Sequence, residues 1–199
     1  MATRFFDIYE NERSAKLLPD IYCMANHSIS IPIRSVLVKW VAQVHHGLHL
    51  LPETFFLSVN YLDRYFSRTW VSFQELQLCG AIAIALAAKY EERRCPRVRD
   101  IVTTTYTLDE VRRAESRMLA VLQYDLGWPG PMCFLRIISA VDSVDREAYS
   151  LAGTFLRMIT IDGRFVGSRA SLLAAGAYCL ARLILRKGPW VCFPSALGS

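Results

Sequence analysis

LQLCGAIAIALAAKYEE, residues 76–92, decides the fold. From Leu76 to Ala88 the stretch is apolar all round apart from Gln77, so as a helix it has no face to turn to water and must sit centrally. Gly80, Ala81 and Ala85 let neighbouring helices approach it closely. The run is too short for the roughly 20 residues a bilayer span requires, and Lys89 and Glu91 close it.

Outward from this centre the apolar period is helical nearly throughout, and no stretch alternates with period two between hairpin turns, so the chain is expected to be all-α. Ser72 with Glu75, and Thr107 with Glu110, read as capping boxes that fix two helix starts. Pro52 and Glu53 suit a third, since proline has no amide to lose in the first turn and a carboxylate favours the positive end of the dipole. Gly188 and Pro189 stop the last helix. Helices are expected at 3–15, 31–46, 53–67, 73–90, 108–123, 131–141, 146–161 and 169–187. Turn formers cluster between helices at Tyr124 to Pro131, the expected domain boundary. The alanine-rich stretch Ser171 to Leu185 on its far side hints at a repeat of the central helix.

Of the 199 residues 53% are hydrophobic and 21% charged, which excludes a wholly disordered chain. The N-terminus, with Arg4, Asp7, Glu10 and Arg13, lacks the apolar stretch of a secretory signal and predicts an intracellular protein. Cys23, Cys79, Cys95, Cys133, Cys179 and Cys192 show neither ligand nor disulfide spacing and read as reduced thiols, mostly core. A net charge of +5 permits an acidic partner without demanding one.

Helical wheels add two expectations. Ile33, Val36, Leu37, Trp40 and Val44 share one arc, which Val38, Val41 and Ala42 extend to roughly 240°. Either this helix is buried on two sides, or the part with Trp40 is an exposed patch kept for a partner. Arg34 lies inside the arc and needs a carboxylate; Asp63, at the edge of the stripe Phe55, Val59, Leu62 and Phe66, is the predicted partner in a bidentate pair.

Catalytic signatures are absent: no GxGxxG, Walker-type loop, GxSxG or HExxH occurs. His45 and His49 have the i, i+4 spacing of a metal pair, but Gly47 between them ends the helix, and no metal or cofactor is expected. Glu91 and Glu92 are adjacent, hence directed differently on a helix and unsuited to paired acid/base work.

The strings SVLVKWVAQVHHGLHLLPETFFLSVNYLDRYFS, LQLCGAIAIALAAKYEE, AESRMLAVLQYDLGWPGPMCFLRIIS and LLAAGAYCLARLIL, in this order, resemble the cyclin box of mitotic B-type cyclins, especially the fungal ones. The resemblance runs from about Phe5 to Trp190. It implies an N-terminal helix and lead-in at 1–28, a first box at 29–126, and a second at 127–199 that is C-terminally incomplete, since the family continues beyond VCFPSALGS through two further helices. It further implies a non-catalytic activator of a cyclin-dependent kinase in G2/M control, working in nucleus and cytoplasm without cofactor or membrane.

On the family pattern Lys89 and Glu115 carry the polar contacts to the kinase C helix, and Tyr90, Leu86, Leu119 and Tyr124 the apolar ones around them. Ile33, Val36, Leu37, Trp40 and Gln77 match a hydrophobic patch that docks arginine-x-leucine motifs of substrates and inhibitors, and Arg34 and Asp63 match a buried ion pair. Three positions depart: Ile33 replaces a methionine, Lys39 an aspartate, and Gln43 an acid common in relatives, which weakens attraction for the motif's arginine by about 1 kcal/mol. Two other readings stand beside this one. A cyclin-fold transcription factor would set Arg93, Arg94, Arg97 and Arg99 on DNA phosphates, and a truncated cyclin would fold but activate nothing.

Overall fold

The computed structural model describes residues 29–101, 106–141 and 145–188. The helix expected at 3–15, Cys23, Cys192 and the segment after Gly188 lie outside them. Among the described residues every regular element is helical: α1 (Ile31–Gly47), α2 (Pro52–Phe66), α3 (Leu76–Glu91), α4 (Val98–Ile101), α5 (Leu108–Val121), α6 (Pro131–Val141), α7 (Arg146–Ile161) and α8 (Ala170–Ile184). Short 3₁₀ turns occupy Phe73–Glu75 and Gly163–Phe165.

Helix α3 is the hub. Apart from Gln77, every residue from Leu76 to Ala88 is buried, between α2 on one side and α1 and α5 on others. The close approach that its small residues allow is visible at Gly80, where a Cβ would lie 2.8 Å from the Trp40 ring and 3.2 Å from Leu37. Helix α2 is nearly as enclosed, with Thr54 to Phe66 all buried. The second bundle, α6, α7 and α8, packs around Phe134, Leu135, Leu156, Tyr178 and small alanines.

Local signals place most boundaries. The Thr107 hydroxyl accepts from the Glu110 amide at 3.3 Å while Glu110 accepts from the Thr107 amide at 2.7 Å, and α5 starts there. Ser72 and Glu75 also bond each other, but the box opens on a 3₁₀ turn, so α3 proper begins at Leu76. Helix α8 ends at Ile184, short of the expected Lys187. Arg186 turns left-handed at φ 53°, and the Lys187 amide reaches back to the Arg182 carbonyl at 3.0 Å, a Schellman closure made without glycine. The Lys187 ammonium then holds Asp145 at 2.6 Å and Glu147 at 2.9 Å, fastening this end to the start of α7.

Of the thiols, Cys79 is buried, and burial pushes it up to about 12. Cys133 is half-buried, whereas Cys95 and Cys179 are exposed, which corrects the expectation of a mostly core set.

Candidate functional site

Arg34 and Asp63 are the hinge on which the geometry turns. Arg34 Nε donates to Asp63 Oδ1 at 2.6 Å and Nη2 to Oδ2 at 2.7 Å, a bidentate pair with the arginine only 2% exposed. Its remaining donors reach the carbonyls of Thr160 at 3.1 Å and Ile161 at 3.4 Å, at the end of α7. One guanidinium thereby fixes α1, α2 and the second bundle, with each buried donor given an acceptor.

A shelf forms where the C-terminal end of α3 meets the middle of α5. Lys89, at the C-terminal end of α3, pairs with Glu115 of α5, so both charged side chains lie on one surface. Tyr90 is exposed beside them, and its hydroxyl lies against Gly127, where a Cβ would approach it to 3.1 Å. Leu119 stands one turn beyond Glu115 and is partly buried. Leu86 does not belong to the exposed shelf: it is 4% exposed in the core, because it points inward from the all-round buried helix.

Tyr124 lies in a strained turn just after α5, its amide donating to the Leu119 carbonyl at 3.0 Å. Gln123 and Tyr124 both take left-handed backbone, φ 57° and 56°, and Tyr124 is 70% exposed. Two successive non-glycine residues there are costly and persist only where neighbours over-determine them. Arg64 supplies part of that constraint, donating to the Asp125 carbonyl at 2.9 Å and the Leu122 carbonyl at 3.4 Å from complete burial. The Tyr61 hydroxyl donates to the Leu126 carbonyl at 2.8 Å, and burial pushes that phenol above its ordinary range. Sequence reasoning did not find Arg64 or Tyr61. Arg64 follows directly on Asp63 in a helix buried all round, and that was the available signal.

The two glutamates after Tyr90 have different settings, Glu91 as the last residue of α3 and Glu92 following it with extended backbone. Glu92 accepts from the Leu51 amide and the Thr54 hydroxyl, both at 2.6 Å, and anchors the end of α3 to the start of α2. Glu91 is half-buried; burial, helped by the nearby Glu53 carboxylate, raises its pKa.

A second surface lies on the other side of α3, between α1 and the start of α3. Val36 is 69% exposed, Ile33 and Trp40 are partly buried, and Gln43 and Gln77 are exposed. Leu37 is corrected out of this patch: at 7% exposure it belongs to the core, wedged against Gly80. The wide arc thus resolves into both alternatives, one side buried with Leu37, Val38 and Val41, the other a strip of open apolar surface around a half-covered Trp40.

His45 and His49 do not share a face: His45 is buried and His49 exposed. His45 faces inward with Nε2 2.8 Å from the Leu51 carbonyl, while His46 and His49 are exposed, and among the described residues no group of three or more metal-ligating side chains occurs. Arg93, Arg94, Arg97 and Arg99 are exposed on the segment around α4.

Comparison with known proteins supplies a frame for both surfaces. Residues 4–127 match the family model described as "Cyclin, N-terminal domain", and residues 129–192 match "Cyclin, C-terminal domain". A G2/mitotic-specific cyclin-4 of Candida albicans is 45% identical over 186 residues, covering 92% of this chain and 38% of that protein. A G2/mitotic-specific cyclin-4 of Saccharomyces cerevisiae is 40% identical over 186 residues, covering 92% and 40%. The chain therefore spans about two fifths of the length of these curated relatives. Among solved structures, a viral cyclin from Herpesvirus saimiri superposes with a TM-score of 0.80 at 18% identity, covering 92% of this chain and 85% of that one. A chain of the yeast RNA Pol II CTD kinase CTDK-1 complex gives 0.72 at 14% identity, covering 87% and 64%.

Proposed function

The chain belongs to the cyclin family, and from that premise we propose that it is a non-catalytic regulatory subunit that binds and activates a cyclin-dependent protein kinase in G2/M control. The observation that carries the proposal is the shelf: Lys89 and Glu115 in contact, with Tyr90 exposed next to Lys89, Tyr124 exposed in the turn that follows α5, and Glu92 and Arg64 tying these segments to α2. The kinase C helix docks there, its own charges replacing the Lys89–Glu115 contact and its apolar face covering the tyrosines. Activation is then a population shift, because the shelf fits the inward, active position of that helix better than the inactive one. The cyclin contributes binding energy and no reacting group.

The strip of Ile33, Val36, Trp40, Gln43 and Gln77 receives short linear segments of substrates or inhibitors, of the arginine-x-leucine class. The regulator works in nucleus and cytoplasm with its kinase. DNA binding through Arg93, Arg94, Arg97 and Arg99 has no support from the family, and Lys89 and Glu115 have no work to do on DNA. The test is a pull-down with a mitotic kinase followed by histone phosphorylation, beside a salt-dependent DNA titration. Kinase capture with stimulated phosphorylation and no salt-sensitive DNA binding is expected; the reverse pattern contradicts the proposal.

A further inference from the structure

A cavity of about 200 Å³ lies where the start of α2, the end of α3, the segment Trp128–Gly130 and α6 meet, and neither α1 nor the Lys89–Glu115 pair lines it. Leu57 and Met132 are buried within it, Trp128 and Pro129 form half-buried walls, and Arg136 is exposed at its edge. The Trp128 ring rests on Gly130, where a Cβ would come within 3.1 Å of it, while its indole N–H is buried with no acceptor among the described residues. Packing alone places this ring, and no hydrogen bond fixes its tilt.

One charge here is left unanswered. Glu53 is paired with Arg136, and Glu92 is taken by the Leu51 amide and the Thr54 hydroxyl. Glu91 lines the cavity, is half-buried, and makes no hydrogen bond or ion pair among the described residues. Burial, Glu53 and Glu92 all oppose its ionisation, and Arg136 only partly offsets them. A half-buried carboxylate with apolar walls and two like charges nearby gains strongly from an incoming cation. The walls select which cation. The cavity is smaller than the roughly 300–1,000 Å³ of sites for drug-sized molecules and takes one long side chain. A lysine brings a point charge, whereas a guanidinium pairs with a carboxylate through two parallel bonds and stacks on an aromatic face, which Glu91 and Trp128 offer. Its methylenes then cover Leu57 and Met132. A single side chain buries too little surface to bind tightly alone, so it arrives as one residue of a longer chain.

We propose that this cavity is a binding site for one arginine side chain of a partner polypeptide, its guanidinium paired with Glu91 and stacked on the Trp128 ring. The site is separate from the Lys89–Glu115 shelf and does not depend on the regulatory reading.

The test is an NMR titration of the 199-residue chain that reads the Trp128 indole N–H resonance, identified by its loss in Trp128→Phe. Three glycine pentapeptides are the probes, with a central arginine, lysine or citrulline, the last keeping the shape of arginine without its charge. The arginine peptide should shift the resonance and bind about tenfold tighter than the citrulline peptide, the worth of one charge-assisted pair, with the lysine peptide between them. Glu91→Gln should remove the preference for arginine over citrulline without lowering the melting temperature, because the Glu91 carboxylate bonds to nothing in the fold. Equal binding of the arginine and citrulline peptides, equal binding of the arginine and lysine peptides, an arginine preference that survives Glu91→Gln, or no shift with any peptide at about 20 mM overturns the proposal. So does a loss of kinase affinity in Glu91→Gln as large as that in Lys89→Ala, which would place the cavity inside the kinase interface. Kinase activation by the wild-type chain is read separately: its absence with the arginine preference intact overturns the regulatory reading alone.

Discussion

Helices α3 and α8 look alike in sequence and live differently. Both are rich in alanine and apolar residues, yet α3 is buried around its whole circumference, while α8 buries Ala170, Ala174, Ala177, Tyr178 and Ala181 and leaves Leu172, Leu180, Leu183 and Ile184 exposed. The difference lies in the number of neighbours. Helix α3 is wrapped by α1, α2 and α5, whereas α8 rests on α6 and α7, and among the described residues no helix covers its outer face. An apolar surface becomes core only when the topology brings partners to it, so the same composition gives a rigid hub in one bundle and a half-wetted helix in the other. The two surfaces proposed for recognition lie at the ends of that hub.

The largest break in that contrast should come at the joint between the bundles. Asp63→Ala leaves Arg34 buried with carbonyls alone and is expected to lower unfolding free energy by about 3–5 kcal/mol in denaturant titration. Next is a pair of glycines. Gly80→Val drives side-chain atoms into Trp40 and is expected to cost about 1–3 kcal/mol, with a shift in tryptophan fluorescence. Gly176→Ala meets nothing within 4 Å on the exposed side of α8 and should instead stabilise by about 0.5–1 kcal/mol. Equal effects at the two glycines would remove the distinction between hub and half-wetted helix.

The smallest effect is a pH slope. Burial holds His45 below its ordinary value of 6.5, despite the bond to the Leu51 carbonyl. The unfolded chain therefore takes up the proton first: this contribution is fully present above pH 6.5 and is lost as pH falls through the lower folded value. All four histidines of the chain precede residue 50, so this slope belongs to the first bundle. His45→Gln, whose amide can still donate to Leu51, should flatten the slope between pH 5 and 7 in chemical denaturation, ranges set by the ordinary histidine value of about 6.5.

Much of this was legible in the residues themselves. Periodicity and caps located α1 to α3 and α5 to α8, and the misplaced polarity of Arg34 and Asp63 on their wheels anticipated the bidentate pair. Leu37, assigned to the open patch by resemblance, is core, because its place on the α1 wheel does not tell how far α3 extends over it. The turn at Gln123 and Tyr124 was hidden for another reason. Left-handed backbone is ordinarily announced by glycine, and here it is held in part by Arg64, 60 positions before Tyr124 in the chain. Four-residue α4 is too short to leave a periodic trace.

The central claim is that Lys89 and Glu115 grip a kinase helix, and the most direct measurement is the calorimetric dissociation constant for a mitotic kinase with Lys89→Ala and Glu115→Ala. Each substitution is expected to weaken binding by at least about tenfold. Helical signal and melting temperature should hold, since an exposed pair contributes only about 0–1 kcal/mol to folding. A dissociation constant unchanged from wild type in both variants contradicts the account.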